Sequence, residues 1–228
     1  GEVLACTPAA RAQGVRRGMR RRDAQARCPE LVVKERKLLR EIELFDATIA
    51  ALAEHAVDIS VLRPGLCALP VPSRFHGGEQ EAASVLLEAV VAAGVWDVRA
   101  GVSDGVFSAE QAARTAGVQE AHIVPAGGGA DFLGPLPVDI FADDDFVSVL
   151  KRLGLQQVSQ FAGLPSADVH VRFSSMGLRR HRLANGIELP WQGEISDPHQ
   201  IVREVSFEPA LDNSEAVAFS SRKMVDSW

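Results

Sequence analysis

The stretch Asp58–Val71, Asp-Ile-Ser-Val-Leu-Arg-Pro-Gly-Leu-Cys-Ala-Leu-Pro-Val, decides how the rest of the chain is read. A β-branched run leads into Arg63-Pro64-Gly65, where proline presets φ for a tight turn and glycine tolerates positive φ, and a second apolar run returns. The pattern predicts a β-hairpin in the middle of a domain. What the hairpin lacks matters as much as what it carries. Between Asp58 and Glu79 there is no Asp or Glu, so neither the turn nor the returning strand offers a carboxylate.

Working outward, Leu38, Ile42, Phe45, Ile49 and Leu52 recur at the spacing of one helix face, which predicts a helix over 38–56 packed on the hairpin. After the Gly77-Gly78 break, 79–93 reads as a helix with Ala82, Ala83, Leu86, Leu87, Val90 and Val91 inward and Gly94 as its stop. Residues 95–102 alternate as a strand, 107–115 fit a second helix, and 122–124 a last short strand. Hairpin, helix, strand, helix, strand is the order of an α+β fold, a ferredoxin-like sheet layered with helices.

Upstream, Thr7-Pro8 supplies a helix cap and a first helical proline. Gly14-Val15 and Gly18-Met19 punctuate the segment, a helix over 20–27 ends at Cys28-Pro29, and Leu31-Val32-Val33 reads as a short extended piece. Downstream, Gly127-Gly128-Gly129 marks a boundary. It is no phosphate loop, because no Lys-Ser or Lys-Thr follows. Phe146, Val149, Leu150 and Leu153 form a helical stripe closed by Gly154. Val158, Phe161 and Leu164 continue to Pro165, and Asp168 is a candidate cap, so a small helical module is expected. Pro190–Pro198 has the composition of a linker, and Val202–Trp228 reads as the strand and helix of a truncated domain.

With 228 residues, 46% of them hydrophobic, the chain can bury a substantial core. No apolar run approaches the roughly 18 residues of a membrane span, so a soluble, cytoplasmic protein without a membrane partner is expected. Cys6, Cys28 and Cys67 are widely spaced, and the six histidines are scattered, so neither a disulfide framework nor a metal site is supported. The net charge of −6 is unevenly distributed. Residues 1–40 hold eleven Lys/Arg against four Asp/Glu, or +7, and the other 188 hold thirteen against twenty-six, or −13. Arg11, Arg16, Arg17, Arg20, Arg21 and Arg22 are therefore the candidate phosphate-binding residues, and DNA the candidate partner, bound weakly and without sequence preference.

Four stretches together resemble the Y-family DNA polymerases, specifically the ImuB type. Ala10-Arg11, Gly14-Val15, Gly18-Met19, Ala24 and Cys28-Pro29 resemble the finger motif, and Val57–Ala68 sits where the family has its Ser-Ile-Asp-Glu palm hairpin. Gly101-Val102 to Ala113 resembles the segment that continues with Asn-Lys and Ala-Lys, and Phe132-Leu133 through Leu136-Pro137 to Leu153-Gly154-Leu155 resembles the thumb. The resemblance implies fingers at 1–37, a palm at 38–125 whose first strand is absent from the chain, and a helical thumb at 126–190. It further implies a linker at 191–203 and the start of a little-finger domain at 204–228.

The departures from the family pattern run in one direction. Arg63 and Pro64 stand where the family holds catalytic Mg²⁺ on an Asp-Glu pair, and hard cations need oxygen ligands, so no metal cofactor and no catalytic residue is expected. Pro8 stands for an aromatic partner of Arg11, Val106 and Glu110 stand for lysines, and the Ala142-Asp143-Asp144-Asp145 region matches a glycine-containing DNA-binding turn. The resemblance thus implies a pseudo-polymerase acting as a nucleoid-associated adaptor in the damage-induced (SOS) response and mutagenesis. Its implied partners are the sliding clamp, an ImuA-type companion and an error-prone C-family polymerase, contacted mostly beyond residue 228. The alternatives are an active translesion polymerase, which would need Mg²⁺ held by carboxylates preceding residue 1, and, more remotely, a protein-interaction module without DNA binding.

Overall fold

The computed structural model describes residues 1–188, which form a helix-rich α+β protein with small sheets. In chain order the elements are α1 (Pro8–Ala12), α2 (Arg21–Arg27), α3 (Leu38–Ala53), β1 (Ser60–Arg63), β2 (Leu66–Ala68), α4 (Ser73–His76) and α5 (Glu79–Ala92). They continue with β3 (Ala100–Val102), α6 (Val106–Thr115), β4 (Ala121–Ile123), α7 (Gly129–Leu133), a 3-10 turn at Val138–Phe141, α8 (Asp144–Arg152), α9 (Val158–Ala162) and α10 (Ser166–Ala184). The linker expected at 191–203 and the domain start expected at 204–228 lie outside the described residues. The chain divides into two compact units, Gly1–Leu44 and another from Phe45 onward.

In the first unit, the Thr7 hydroxyl accepts the Ala10 N–H at 3.3 Å, capping α1 as its position before Pro8 predicts. Gly14 and Gly18 take φ of 87° and 82°, so the chain reverses between α1 and α2 at residues without a Cβ penalty. Ala10, Val15, Ala24 and Cys28 form the core, with Val3, Cys6, Met19 and Leu31 against it. The extended piece expected at 31–33 forms no strand, and Val32 is exposed. Three consecutive apolar residues do not make a strand when no partner edge is offered to them.

The second unit begins with the hairpin. β1 and β2 pair antiparallel around Pro64-Gly65, with Gly65 at φ 83°, and a register irregularity between Val61 and Arg63 re-aims the arginine. Ile49 and Leu52 of α3, Ile59, and Val90 of α5 form a core with Cys67 and Leu69, so α3 does pack on the hairpin. Only its C-terminal half does so. The helix stops at Ala53 rather than 56, and Leu38 and Ile42, expected inward, are exposed. α5 runs as predicted, with Ala82, Ala83, Leu87 and Val90 buried and Gly94 at φ 91° as its stop.

β3 and β4 pair in parallel, joined by the crossover helix α6, and form a separate two-stranded sheet. The strand expected over 95–102 shrinks to Ala100–Val102. Residues 95–99 instead form a loop held by the Gln119 amide on the Trp96 carbonyl at 3.1 Å and by an Arg99–Asp97 ion pair at 2.9 Å. α6 lies directly on β3 because Gly101 has no side chain. A Cβ there would collide with the Ala109 carbonyl oxygen and the Ala113 nitrogen.

The helical module closes on an aromatic cluster. Phe146 and Phe161 meet edge to face at 5.4 Å, and Phe141 and Phe173 add two further T-shaped contacts each. Leu133, Val138, Leu150 and Val158 are fully buried in the same cluster. The α8 stripe is rotated from its expected position, since Val147 is buried and Leu153 exposed. Asp168 does not cap α10; Pro165 occupies the cap, and Asp168 lies in the first turn, where its charge favours the helix dipole. Within α10, Ser174 sits at φ 59°, ψ −165°, a region that side chains other than glycine's rarely enter, and divides the helix at a kink. Ser174→Gly is expected to raise the denaturation midpoint, by about 1 kcal/mol in free energy after the entropy cost of glycine, whereas Ser174→Ala should give no gain. Urea unfolding of the two variants measures this.

Candidate functional site

The site is the surface between the hairpin turn and α6. The β1 irregularity turns Arg63 toward α6, and its guanidinium donates to the Glu110 carboxylate at 2.6 Å, across 47 residues of sequence. Arg114, one turn along α6, donates to the same carboxylate oxygen, also at 2.6 Å. Glu110 keeps only 18% side-chain exposure, while both arginines remain about half exposed. Partial burial pushes the Glu110 carboxyl upward. The two guanidinium hydrogen bonds and their charges outweigh that effect and hold it below the ordinary carboxylate range.

The chemistry of these groups does not fit a divalent cation. A guanidinium has no lone pair to give, and the one carboxylate facing it is already held by two cations. Among the described residues no three His, Cys, Asp or Glu side chains come together as a metal site. Nor is there an activated thiol here. Burial pushes Cys67 up to about 11, so at neutral pH it stays protonated and unreactive.

The base of α6 carries a second carboxylate that sequence reading missed. Glu188 accepts the backbone N–H groups of Phe107 and Ser108 at 2.7 and 3.0 Å and the Ser108 hydroxyl at 2.8 Å. Gly105 leaves room for it, since a Cβ at that position would strike the Glu188 carboxyl. The stacked Phe107 and Phe141 rings, 5.9 Å apart, make the adjacent contact, so the helical module and α6 are joined by one polar and one apolar seam. The only sequence signal for this was a helix start at Gly105 with no capping side chain of its own, whose partner lies about eighty residues away.

In the helical module, Gly154 at φ 81° makes the turn between α8 and α9 that closes the α8 stripe, as its position after Leu153 predicts. The Ala142–Asp145 segment is the start of α8. Asp143 accepts the Phe146 N–H at 2.9 Å and receives Arg180 at 2.6 Å, while Arg180 also lies over the Phe146 ring at 4.7 Å. Asp143 thus acts as a helix cap and an ion-pair anchor, while Asp144 and Asp145 lie exposed in the first turn, where their charge favours the helix dipole.

In the first unit the six candidate arginines separate by their bonding. Arg11 donates to the Cys6 carbonyl at 3.3 Å, and Arg16 donates to the Arg11 and Val15 carbonyls at 2.6 and 3.0 Å, so both are engaged with the loop backbone. Arg17, Arg20, Arg21 and Arg22 are exposed and have no side-chain partner among the described residues.

A family model described as the impB/mucB/samB family matches residues 1–114, half of the chain and the whole stretch from α1 through α6 up to Arg114. The chain belongs to the impB/mucB/samB family. Its fold is also that of solved Y-family DNA polymerases. DinB from Sulfolobus solfataricus matches with a TM-score of 0.68 at 18% identity, covering 85% of this chain and 59% of its own. A DinB-family error-prone DNA polymerase from the same organism gives 0.64 at 20% identity, covering 81% and 58%. The insertion ternary complex of Dbh DNA polymerase gives 0.66 at 18%, covering 82% and 56%. The chain thus spans under two thirds of the length of these polymerases. A search of curated proteins returns no match.

Because the Glu110 carboxyl titrates lower in the folded protein than in the unfolded chain, its stabilisation is complete above the ordinary value of 4.5 and is lost as pH falls through the depressed folded value. Glu110→Gln is therefore expected to destabilise the protein by about 1 kcal/mol or less at neutral pH, the range for part-exposed pairs, with the difference from the parent vanishing in acid. Urea titrations of parent and variant across that pH range provide the measurement. A difference that persisted undiminished at acid pH would mean that packing, and not charge, holds Glu110.

Proposed function

We propose that this member of the impB/mucB/samB family is a catalytically inactive Y-family homologue of the ImuB type, working as a DNA-associated adaptor in damage-induced translesion synthesis. The observation that carries the reading is the Arg63–Glu110–Arg114 cluster. Phosphoryl transfer by a polymerase relies on oxygen ligands gathering divalent cations beside the transferring phosphate. At this hairpin turn, a cation of the protein's own occupies the position that the resemblance assigns to those ligands, and it is neutralised by an acid where the resemblance assigns a lysine. The two departures compensate each other in charge and in hydrogen bonding. A sequence drifting at random away from a metal site would leave one unpaired charge, whereas a site rebuilt for stability leaves a pair.

In this reading the fingers extend over 1–37, the palm over 38–125 and the thumb from 126 to 190. The sliding clamp, an ImuA-type companion and an error-prone C-family polymerase are the partners, with synthesis left to the last of these. DNA is held weakly and without sequence preference, through the arginines of the first unit. The competing reading, an active translesion polymerase, draws on the solved structures of similar fold, three of which are described as complexes of Dbh.

Primer extension by the full-length protein with Mg²⁺ or Mn²⁺ separates the two. No template-dependent incorporation is expected. Nor should Arg63→Asp combined with Pro64→Glu restore it, because the new carboxylates would face Glu110 with only Arg114 to offset three negative groups, and Val106 and Glu110 would still stand where the resemblance assigns lysines. Catalytic groups that act as a unit return little when one part is repaired. Incorporation by the double variant well above the parent would show that the hairpin alone was lost.

A further inference from the structure

We infer that Glu188 is a detachable clasp: it caps α6 from the far end of the helical module, and so ties the end of α10 to α6 until its carboxylate leaves the seat. Helices α1 and α8 are capped from within their own turns, by Thr7 and Asp143. α6 is not. Its N-cap is Gly105, at φ −138° and ψ 159°, an extended backbone that any residue adopts and that would suit a capping serine or aspartate. Glycine stands there for room, since a Cβ would strike the Glu188 carboxyl. The cap therefore comes from Glu188, which accepts the Phe107 and Ser108 N–H groups at 2.7 and 3.0 Å and faces the buried Ser108 hydroxyl at 2.8 Å.

The other end of the clasp belongs to the helical module. α10 closes with the Gly186 N–H donating to the Leu183 carbonyl at 2.9 Å and the Ile187 N–H to the Arg182 carbonyl at 2.8 Å, while Gly186 takes φ 67°, the paired bonds of a glycine-terminated helix. The Asn185 amide adds donations to the Ala162 and His181 carbonyls at 3.3 and 2.9 Å. Gly186 also runs against the start of α7, where a Cβ would meet the Ala130 nitrogen at 2.8 Å. Residues 185–188 thus form a strap that carries the end of α10 past α7 to the base of α6. Its hold on α6 is the Glu188 carboxylate.

A cap drawn from about eighty residues away differs in kind from a local one. Thr7 and Asp143 stay beside their helices whatever the rest of the chain does, whereas Glu188 reaches α6 only while the end of α10 is docked, so docking and capping rise and fall together. The neighbouring ring contacts, Phe107 on Phe141 at 5.9 Å and His122 against Phe132 at 5.0 Å, contain no donor–acceptor pair. They keep the helical module near α6 and β4 without fixing where α10 ends. Displacing one carboxylate therefore frees the strap at one side and uncaps α6 at the other, whether or not the protein extends primers.

The test is hydrogen exchange of the full chain, read amide by amide. Glu188→Ala should speed exchange about tenfold at Phe107 and Ser108, the size of a lost helix cap, and likewise at Gly186 and Ile187 in the strap. Sodium acetate, compared with sodium chloride at the same ionic strength, should restore protection at Phe107 and Ser108 by refilling the seat. Gly186 and Ile187 should stay fast, because acetate is not joined to them. Gly105→Ser separates the two duties from the other side: its Cβ evicts Glu188 while its hydroxyl caps α6, so Phe107 and Ser108 should keep their protection and the strap should exchange as fast as in Glu188→Ala. If Glu188→Ala does not fold, Gly105→Ser is read in its place against the parent, since its α6 remains capped. A strap that exchanges no faster than the parent's overturns the inference and leaves Glu188 as a cap alone. So does acetate that slows the strap together with α6, which would mean that the strap follows the stability of the helix and not the attachment of Glu188.

Discussion

Helix α6 can lie against the backbone of β3 because residue 101 is glycine, and most of the second unit follows from that contact. A helix brought this close covers the parallel β3–β4 pair, which has no hairpin to hold it and needs a crossover on its face. The same placement points Glu110 at the hairpin turn, sets Phe107 beneath Phe141, and leaves the first N–H groups of the helix facing Glu188. One missing methyl group thus lets three separate parts of the unit converge on a single ten-residue helix.

The helical module shows how acidic residues can serve a fold without serving a ligand. Asp143 divides its two oxygens between the Phe146 N–H and Arg180, and Arg180 in turn lies on the Phe146 ring. Gln160 reaches back to the N–H groups of Gln156 and Gln157, so the start of α9 is satisfied internally as well. The aromatic cluster of this module is edge-to-face, a geometry in which each ring fixes its neighbours. Against this order, the Ser174 backbone is the one strained point in α10, and three residues on Gly177 leaves no room for a Cβ beside Phe173.

Arginine plays three different physical parts in this chain. At Arg16 and Arg27 it closes backbone carbonyls, at Arg63 and Arg114 it neutralises a half-buried acid, and at Arg20–Arg22 it stands unpaired in water among the described residues. Only the last of these is available to a partner without breaking something in the fold. Charge counting cannot distinguish the three; the acceptor each guanidinium faces does.

The sequence by itself determined the features that depend on neighbours a few residues apart. The hairpin about Pro64-Gly65, the Thr7-Pro8 cap, the inward face of α5 and its Gly94 stop, and the α+β order all follow from dihedral preferences and periodicity, which are local. The absence of carboxylates from the hairpin was equally plain, as was the basic character of the first forty residues. Tertiary structure alone decided which of two possible apolar faces a helix turned inward, as at Val147 against Leu153, and that Leu38 and Ile42 stay exposed. It also decided that Arg63 meets Glu110, that Glu188 meets the start of α6, and that Arg180 meets Asp143. These pairings join residues 37 to 81 positions apart, and side-chain partners at such separations are set by how the backbone closes, for which a linear pattern carries no signal.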